Sequence, residues 1–420
     1  MRKRLFLIVA LILVLGLTGC KKNGKENHDI VNKEETTLFV ESQQKDVTDK
    51  ENSQEYLNLL ESYTNIIGKN MYNGTSNISY SPIGVQIAST NFIDFSVGDS
   101  RQAIYKDLGI KTDDSLSKEN IILKNKLSSK EGIKMADGIW VNSEVKEFNT
   151  DKLKEKAEKS SSDLYFGPFD REGNDIYNKW QEDNLDAILN KDGLKEDTRI
   201  MVTNALNFKN KWDIEFDKEK IENLEFTNFD KTKNNVDFLS DDRKVDYFEN
   251  DEFKAIGLKF KDSEAVGYFI LPADIRKQDK ILGNLYENLV EIDKDKTEEK
   301  VLFKIPRFHL NINRDITKDL NDKKFEILFK DFTTDASKDG IMRLYQLNQF
   351  IDIKVDEEGS EAKALTEGLE KMSLPLETKE LIFDRPFIYV IAEKDENSEK
   401  ILPLFVTYIG NIEENKSEIK

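Results

Sequence analysis

An α+β domain is predicted for this chain of 420 residues by three observations. Helix-period patterns gather in its first half, strand patterns accumulate in its second, and no regular strand–helix alternation links them. Apolar residues make up 38% of the chain and charged residues 34%, enough for a large core beneath a heavily charged surface.

Taken in order, the first element is a targeting signal. Arg2, Lys3 and Arg4 precede an almost unbroken apolar run from Leu5 to Leu17. That run is too short to cross a bilayer as a helix, which takes roughly 20 residues, so residues 1–19 read as a signal peptide. It ends in Leu17-Thr18-Gly19-Cys20, which resembles the lipobox of bacterial lipoproteins and makes Cys20 the candidate lipidated residue. An ordinary secretory peptide with an incidental Cys is the alternative. Residues 20–52 are rich in Lys, Glu, Asn, Gln, Asp and Thr, with one small apolar patch at Leu38-Phe39-Val40, and read as a flexible tether. One domain, 53–420, follows without a second linker.

Within it, Leu59, Leu60, Tyr63, Ile66, Ile67 and Met71 recur at helical spacing after a cap-like Asn52-Ser53. Ser81-Pro82 reads as an N-cap with proline in the first turn of a second helix. Ile176, Trp180, Ile188 and Leu189 line one face of another. Strands are expected over Met201 to Lys209, Ala265 to Leu271, Val301 to Ile305, Ile351 to Asp356 and Phe387 to Ala392.

Composition narrows the function. Lys+Arg is 63 against Asp+Glu at 81, a net charge of −18, which argues against a nucleic-acid partner. A single Cys excludes an internal disulfide framework, and two His, His28 and His309, leave little for a metal site or a His-based triad. No cofactor is expected. Trp140 and Trp180 read as packing residues, and His309 as a surface or hydrogen-bonded His. The acidic pairs Asp241-Asp242 and Glu298-Glu299 read as solvated faces.

The most informative segment is Glu357 to Thr366. At strand period one face carries Ser360, Ala362, Ala364, Thr366 and Gly368, all small. The other carries Glu361, Lys363, Leu365 and Glu367. A small-faced strand could enter a sheet above packed helices, where large side chains would over-pack the core by roughly 1–3 kcal/mol each. Yet Ser, Ala, Gly and Glu are poor strand formers, so a surface helix or loop is the competing reading.

Six ordered motifs give this segment a context. Ser81-Pro82-Ile83, Asn178-Lys179-Trp180, Val202 to Trp212, Lys304-Ile305-Pro306-Arg307-Phe308, Asp384-Arg385-Pro386-Phe387 and Tyr408-Ile409-Gly410-Asn411-Ile412 resemble the signature segments of serpins. The resemblance covers residues 55 to 412. It implies helices around a large, mostly antiparallel central sheet, with an exposed reactive loop at about 357–383. It also implies a non-enzymatic protease inhibitor acting as a suicide substrate. The loop is cleaved and then inserts into the sheet, about 14 residues at about 3.3 Å each carrying the protease roughly 45 Å. Gly359, Ser360, Ala362, Ala364 and Thr366 correspond to the loop hinge, and Ser81, Asn204, Trp212 and Gln349 to the shutter and breach that govern sheet opening. Gln349 stands where most of the family has His, and Gly84 where a Ser is usual. A Gln shutter bonded to Ser81 and Asn204 is expected.

For the bait bond, spacing from Gly359 points to Ser373 and spacing from Pro386 to a position near Pro375. Met372-Ser373-Leu374-Pro375 is similar to the Met-Ser bait of elastase-inhibiting members, which favours Met372-Ser373, and Lys371 would suit a trypsin-like enzyme. The expected partner is an extracellular or secreted serine protease, elastase- or subtilisin-like, with cysteine proteases as a further class. A lipid-anchored monomer on the outer face of the cell membrane completes the expectation. A non-inhibitory carrier serpin, and a solute-binding lipoprotein of another fold, are the alternatives.

Overall fold

The computed structural model describes residues 37–42, 51–111, 116–144, 148–359, 379–395 and 398–413. The chain opens on β1 (Leu38–Val40) and α1 (Gln54–Met71), then β2 (Ile78–Tyr80) and α2 (Pro82–Ile93). Helices α3 (Gly98–Leu108) and α4 (Leu116–Ser128) lead to β3 (Ile133–Asn142), α5 (Thr150–Ser160), β4 (Asp163–Gly167) and α6 (Arg171–Leu185). Strands β5 (Ile200–Phe208), β6 (Glu222–Thr227), β7 (Lys233–Glu249), β8 (Phe253–Lys259) and β9 (Val266–Pro272) follow. Helices α7 (Gln278–Gly283) and α8 (Leu285–Asp295) separate them from β10 (Thr297–Pro306) and β11 (Phe308–Asp315). Short β12 (Phe332–Thr333) and β13 (Ile341–Met342) precede β14 (Asn348–Val355), β15 (Lys379–Ile382), β16 (Phe387–Lys394) and β17 (Ile401–Ile409).

Six of the eight helices among the described residues precede β5, close to the expected order, but β1 to β4 are interspersed among them and α7 and α8 fall between β9 and β10. Helix α1 starts where Ser53 Oγ accepts the Tyr56 N–H at 3.3 Å. Helix α2 starts where Ser81 Oγ accepts the Gly84 N–H at 3.1 Å, with Pro82 in its first turn. Every residue of α2 is buried, and its polar Gln86, Ser89, Thr90 and Asn91 are all hydrogen-bonded within the core. Helix α6 stops at Leu185, short of Ile188 and Leu189, because Asp186 takes a left-handed conformation at φ +55°. Gln181 Oε1 then accepts the Leu189 and Asn190 N–H groups in place of a further helical turn.

A nine-stranded sheet carries the order β15-β10-β7-β8-β9-β16-β17-β2, with β6 beside β7, and only β10–β15 is parallel in it. Asp242 and Glu298 of the acidic pairs lie on solvated faces there, as read, and each also meets a cation across the strands, Lys300 with Asp242 at 3.3 Å and Lys244 with Glu298 at 3.0 Å. The pairing of β16 with β17 shifts between Ile391 and Ala392, whose partners are Phe405 and Pro403. Leu404 is therefore bulged, which accommodates Pro403 within β17.

A second sheet has the order β1-β4-β3-β5, and among the described residues β11 and β14 form a two-stranded sheet of their own. Part of the stretch expected to be tether is thus a strand: Leu38, Phe39 and Val40 pair with Phe166, Tyr165 and Leu164 of β4. The Ser42 N–H donates to Asp163 Oδ1 at 2.6 Å, and the Phe39 ring lies 6.3 Å from that of Trp140. A three-residue apolar patch, too small to fold alone, pairs because a sheet edge is offered to it.

Candidate functional site

Strands β5 and β14 lie on either side of a groove of about 1040 Å³ and, among the described residues, form no ladder with each other. The N-terminal turn of α2 reaches the groove through Ser81, Gly84 and Val85, Asn204 of β5 lines one wall, and Gln349 of β14 lines the other. Seven of the nine β5 residues are half-buried, all but Ala205 and Leu206, as expected of a strand with one open flank. Both strands finish at the same pole, where Trp212 beyond β5 donates its indole N–H to the Asp356 carbonyl beyond β14 at 3.0 Å. Chain returning from Gly359 would therefore run antiparallel to both strands, and one added strand could satisfy the backbone groups of both.

The shutter residues divide between the two walls. Gln349 grips Ser81 twice: its Oε1 accepts the Ser81 N–H at 3.2 Å and its Nε2 donates to the Ser81 carbonyl at 3.0 Å. The expected link from this pair to Asn204 is not made. Asn204 Nδ2 donates instead to Asp137 Oδ1 at 2.7 Å, because Asp137 is its direct partner across β3 and β5 and a carboxylate is the stronger acceptor. Asp137 in turn takes Lys124 of α4 on its other oxygen at 2.7 Å. Sequence reasoning missed Asp137 and Lys124. The available signal was a lone carboxylate inside the apolar strand run Ile133 to Val141.

At the pole, Trp212 stacks on Phe260 with ring centroids 4.6 Å apart and is 2% exposed. Arg307 Nη2 lies 2.9 Å from Glu357 Oε2, an ion pair too oblique to count as a hydrogen bond. Lys218 contacts both Glu357 and Glu358, and the Phe216 N–H donates to the Glu357 carbonyl at 3.0 Å. Gly359 sits at φ +70°, so close to Asn210, Lys211 and Trp212 that no side chain fits. The start of the loop is thus fastened to the end of β5.

Burial pushes the Asp356 carboxyl up, but hydrogen bonds from Lys354 and the Glu358 N–H, with the Arg307 charge, outweigh it and hold the group below the ordinary aspartate value. A carboxyl lowered on folding contributes stability above its unfolded value, about 3.9, and loses it as pH falls through the folded value. Asp356→Asn is therefore expected to reduce the fall of melting temperature below about pH 4, read by thermal unfolding across that range. An unaltered acid limb would show that Asp356 is not part of the clamp.

Helix α6 covers the face of β3, β4 and β5. Its Tyr177 and Trp180 meet Trp140 edge to face at 4.7 and 5.3 Å, and the Trp180 N–H donates to Asp163 Oδ2 at 2.6 Å. The tryptophans are thus packing residues, as expected. His309 is exposed and hydrogen-bonded to Asp352 on the neighbouring strand. Of the remaining predicted residues, Ser360, Ala362, Ala364, Thr366, Met372 and Ser373 lie outside the described residues, as does Cys20.

The serpin (serine protease inhibitor) family model matches residues 61–406. This chain is a serpin. Members of the family are generally protease inhibitors rather than enzymes. An uncharacterized serpin-like protein of Thermococcus kodakarensis is 25% identical to it, covering 94% of this chain and 96% of the relative. The human leukocyte elastase inhibitor is 25% identical over half of this serpin and 58% of its own length. The native-state crystal structure of the thermophilic serpin Tengpin superposes with a TM-score of 0.73 at 20% identity, covering 87% of this serpin and 96% of Tengpin. Serpin48 of Tenebrio molitor gives 0.64 at 22% identity, covering 86% and 99%. Among the described residues of this serpin, no helix is long and apolar enough to cross a membrane.

Proposed function

We propose that this serpin is an inhibitory one that traps a serine protease by loop cleavage followed by insertion into the groove between β5 and β14. The observation that carries this reading is the pair of unladdered strands with the small-faced segment leaving directly from their shared pole. A strand with Ser360, Ala362, Ala364 and Thr366 directed inward would place no bulk over α2. The trap needs no catalytic group, only a bait bond and a more stable inserted state. Met372-Ser373 is the proposed bait, and its unbranched apolar side chain suits an elastase- or subtilisin-like pocket.

Incubation with such a protease is expected to give a covalent complex that survives denaturing electrophoresis, with Ser373 as the new N-terminus of the released fragment. Loop cleavage is also expected to raise the melting temperature, since insertion adds a strand. Clean cleavage without complex or stabilisation would instead identify a carrier. Met372→Arg should move inhibition towards trypsin-like enzymes and leave insertion intact.

The same proposal places the protein on the outer face of the membrane through Cys20. Cys20→Ala is expected to release it into the medium or block its processing. A correctly processed variant still bound to membranes would exclude a lipid anchor at this position.

A further inference from the structure

We infer that Lys124 and Asp137 hold the insertion groove open by capturing the donor group of Asn204, which makes Lys124 a positioning residue for loop insertion. The inference rests on the insertion reading above. Three elements meet at Lys124. From α4 its ammonium donates to Asp137 Oδ2 of β3 at 2.7 Å and to the Ser161 carbonyl at the end of α5 at 2.8 Å. The Asp137 side chain is fully buried and that of Lys124 is 12% exposed, so the pair sits beneath the sheet and away from solvent screening.

The polarity of the chain is what matters. A carboxylate only accepts, so Asp137 Oδ1 fixes Asn204 with its amide turned away from the groove. Asn204 Oδ1 is then left buried and, among the described residues, without a hydrogen-bond partner, beside Gly84 on the groove floor. On the opposite wall Gln349 commits one lone pair of Oε1 and one N–H of Nε2 to the Ser81 backbone, which leaves a lone pair on Oε1 for a further donor. Closing the groove at this level takes one donor that bridges the walls, and the donor best placed to do so is the Asn204 amide. Lys124 keeps it occupied by holding Asp137 in place. Releasing the amide lets Asn204 turn and donate to Gln349, which zips the walls together.

Asp137→Asn tests this with little change of shape. The new side chain can keep its oxygen on Lys124 and present its amide to Asn204, which then turns its own amide into the groove. Lys124→Met removes the cation while keeping much of the stem. The readout is the rate at which a synthetic peptide of residues 360–373 anneals to the full-length, uncleaved protein, followed as the growth of a more thermostable species. Both variants are expected to anneal the peptide roughly tenfold or more slowly, the loss that follows when one charged hydrogen bond changes sides. In an Asn204→Ala background, Lys124→Met is expected to produce no further slowing.

Unchanged or faster annealing in Asp137→Asn overturns the inference. Equal slowing by Lys124→Met with and without Asn204 also overturns it, because Lys124 would then act only on general stability. Should Lys124→Met fail to fold, Asp137→Asn carries the test alone. If the unmutated protein neither takes up peptide nor gains stability on loop cleavage, the insertion reading falls and this inference with it. Normal uptake by the unmutated protein and the variants alike removes only the role of Lys124 and Asp137.

Discussion

Ala362→Pro is expected to convert this serpin from a trap into a substrate, with loop cleavage retained and the yield of covalent complex falling at least about tenfold. In the proposed insertion the segment after Gly359 would lie between two strands, so its backbone N–H groups would have to serve ladders on both sides. Proline removes one of those donors and fixes a ring where a central strand passes, a position proline avoids. Trapping is a race between insertion and hydrolysis of the acyl-enzyme. A barrier raised by about 1.4 kcal/mol shifts that race tenfold. Ser360→Arg should act in the same direction by a different cause, because its charge would arrive above the buried helix α2. Electrophoresis of timed mixtures reads both bands at once. Full complex yield from both variants would rule out insertion as the trapping step.

Gly359→Val is expected to lower the melting temperature of the uncleaved protein by on the order of 5 °C. A side chain at this position would begin 2.5 Å from the Trp212 nitrogen, 2.6 Å from Lys211 Cα and 2.8 Å from the Asn210 carbonyl oxygen. All three are backbone atoms, so no rotamer change relieves the clash. The φ of +70° adds a strain of about 1–3 kcal/mol for a β-branched residue. The start of the loop would have to leave the end of β5, and the Trp212 bond to Asp356 and the Phe216 bond to Glu357 would loosen with it. An unaltered melting temperature would mean that the fastening at this pole adds nothing to the native state.

Much of this architecture is legible in the sequence alone, for local reasons. Ser81-Pro82 announces α2 because an N-cap oxygen and a fixed φ are both written in the sequence. Gly359 and Trp212 were legible through ordered motifs, and Gln349 by its distance from Gly359. What escaped depends on partners far away in sequence. Nothing near Leu38-Phe39-Val40 marks it as a strand, since its ladder is supplied by β4 more than a hundred residues later. Helix α6 ends on Asp186, a non-glycine left-handed residue whose sequence gives no stop signal. The link between Asn204 and Asp137 is a matter of register between β3 and β5, and Lys124 joins it only after α4 has docked.

The added strand β1 also gives the molecule a direction with respect to whatever holds its N-terminus. β1 is antiparallel to β4, β4 is parallel to β3, and β3 is antiparallel to β5, so β1 runs the same way as β5. Since β5 finishes at the Trp212 pole, the chain must enter β1 from the opposite pole. That is the end towards which an inserting loop travels. On the proposed mechanism, a protease carried with the loop would arrive on the side from which the chain enters β1. With Cys20 lipidated, residues 21–37 could stretch no further than about 60 Å, while a protease of some 220 residues is about 45 Å across. On that proposal the leader would act as a clearance gauge: shortened by about half, it would leave a captured enzyme no room above the bilayer, and the stroke would stall against the membrane.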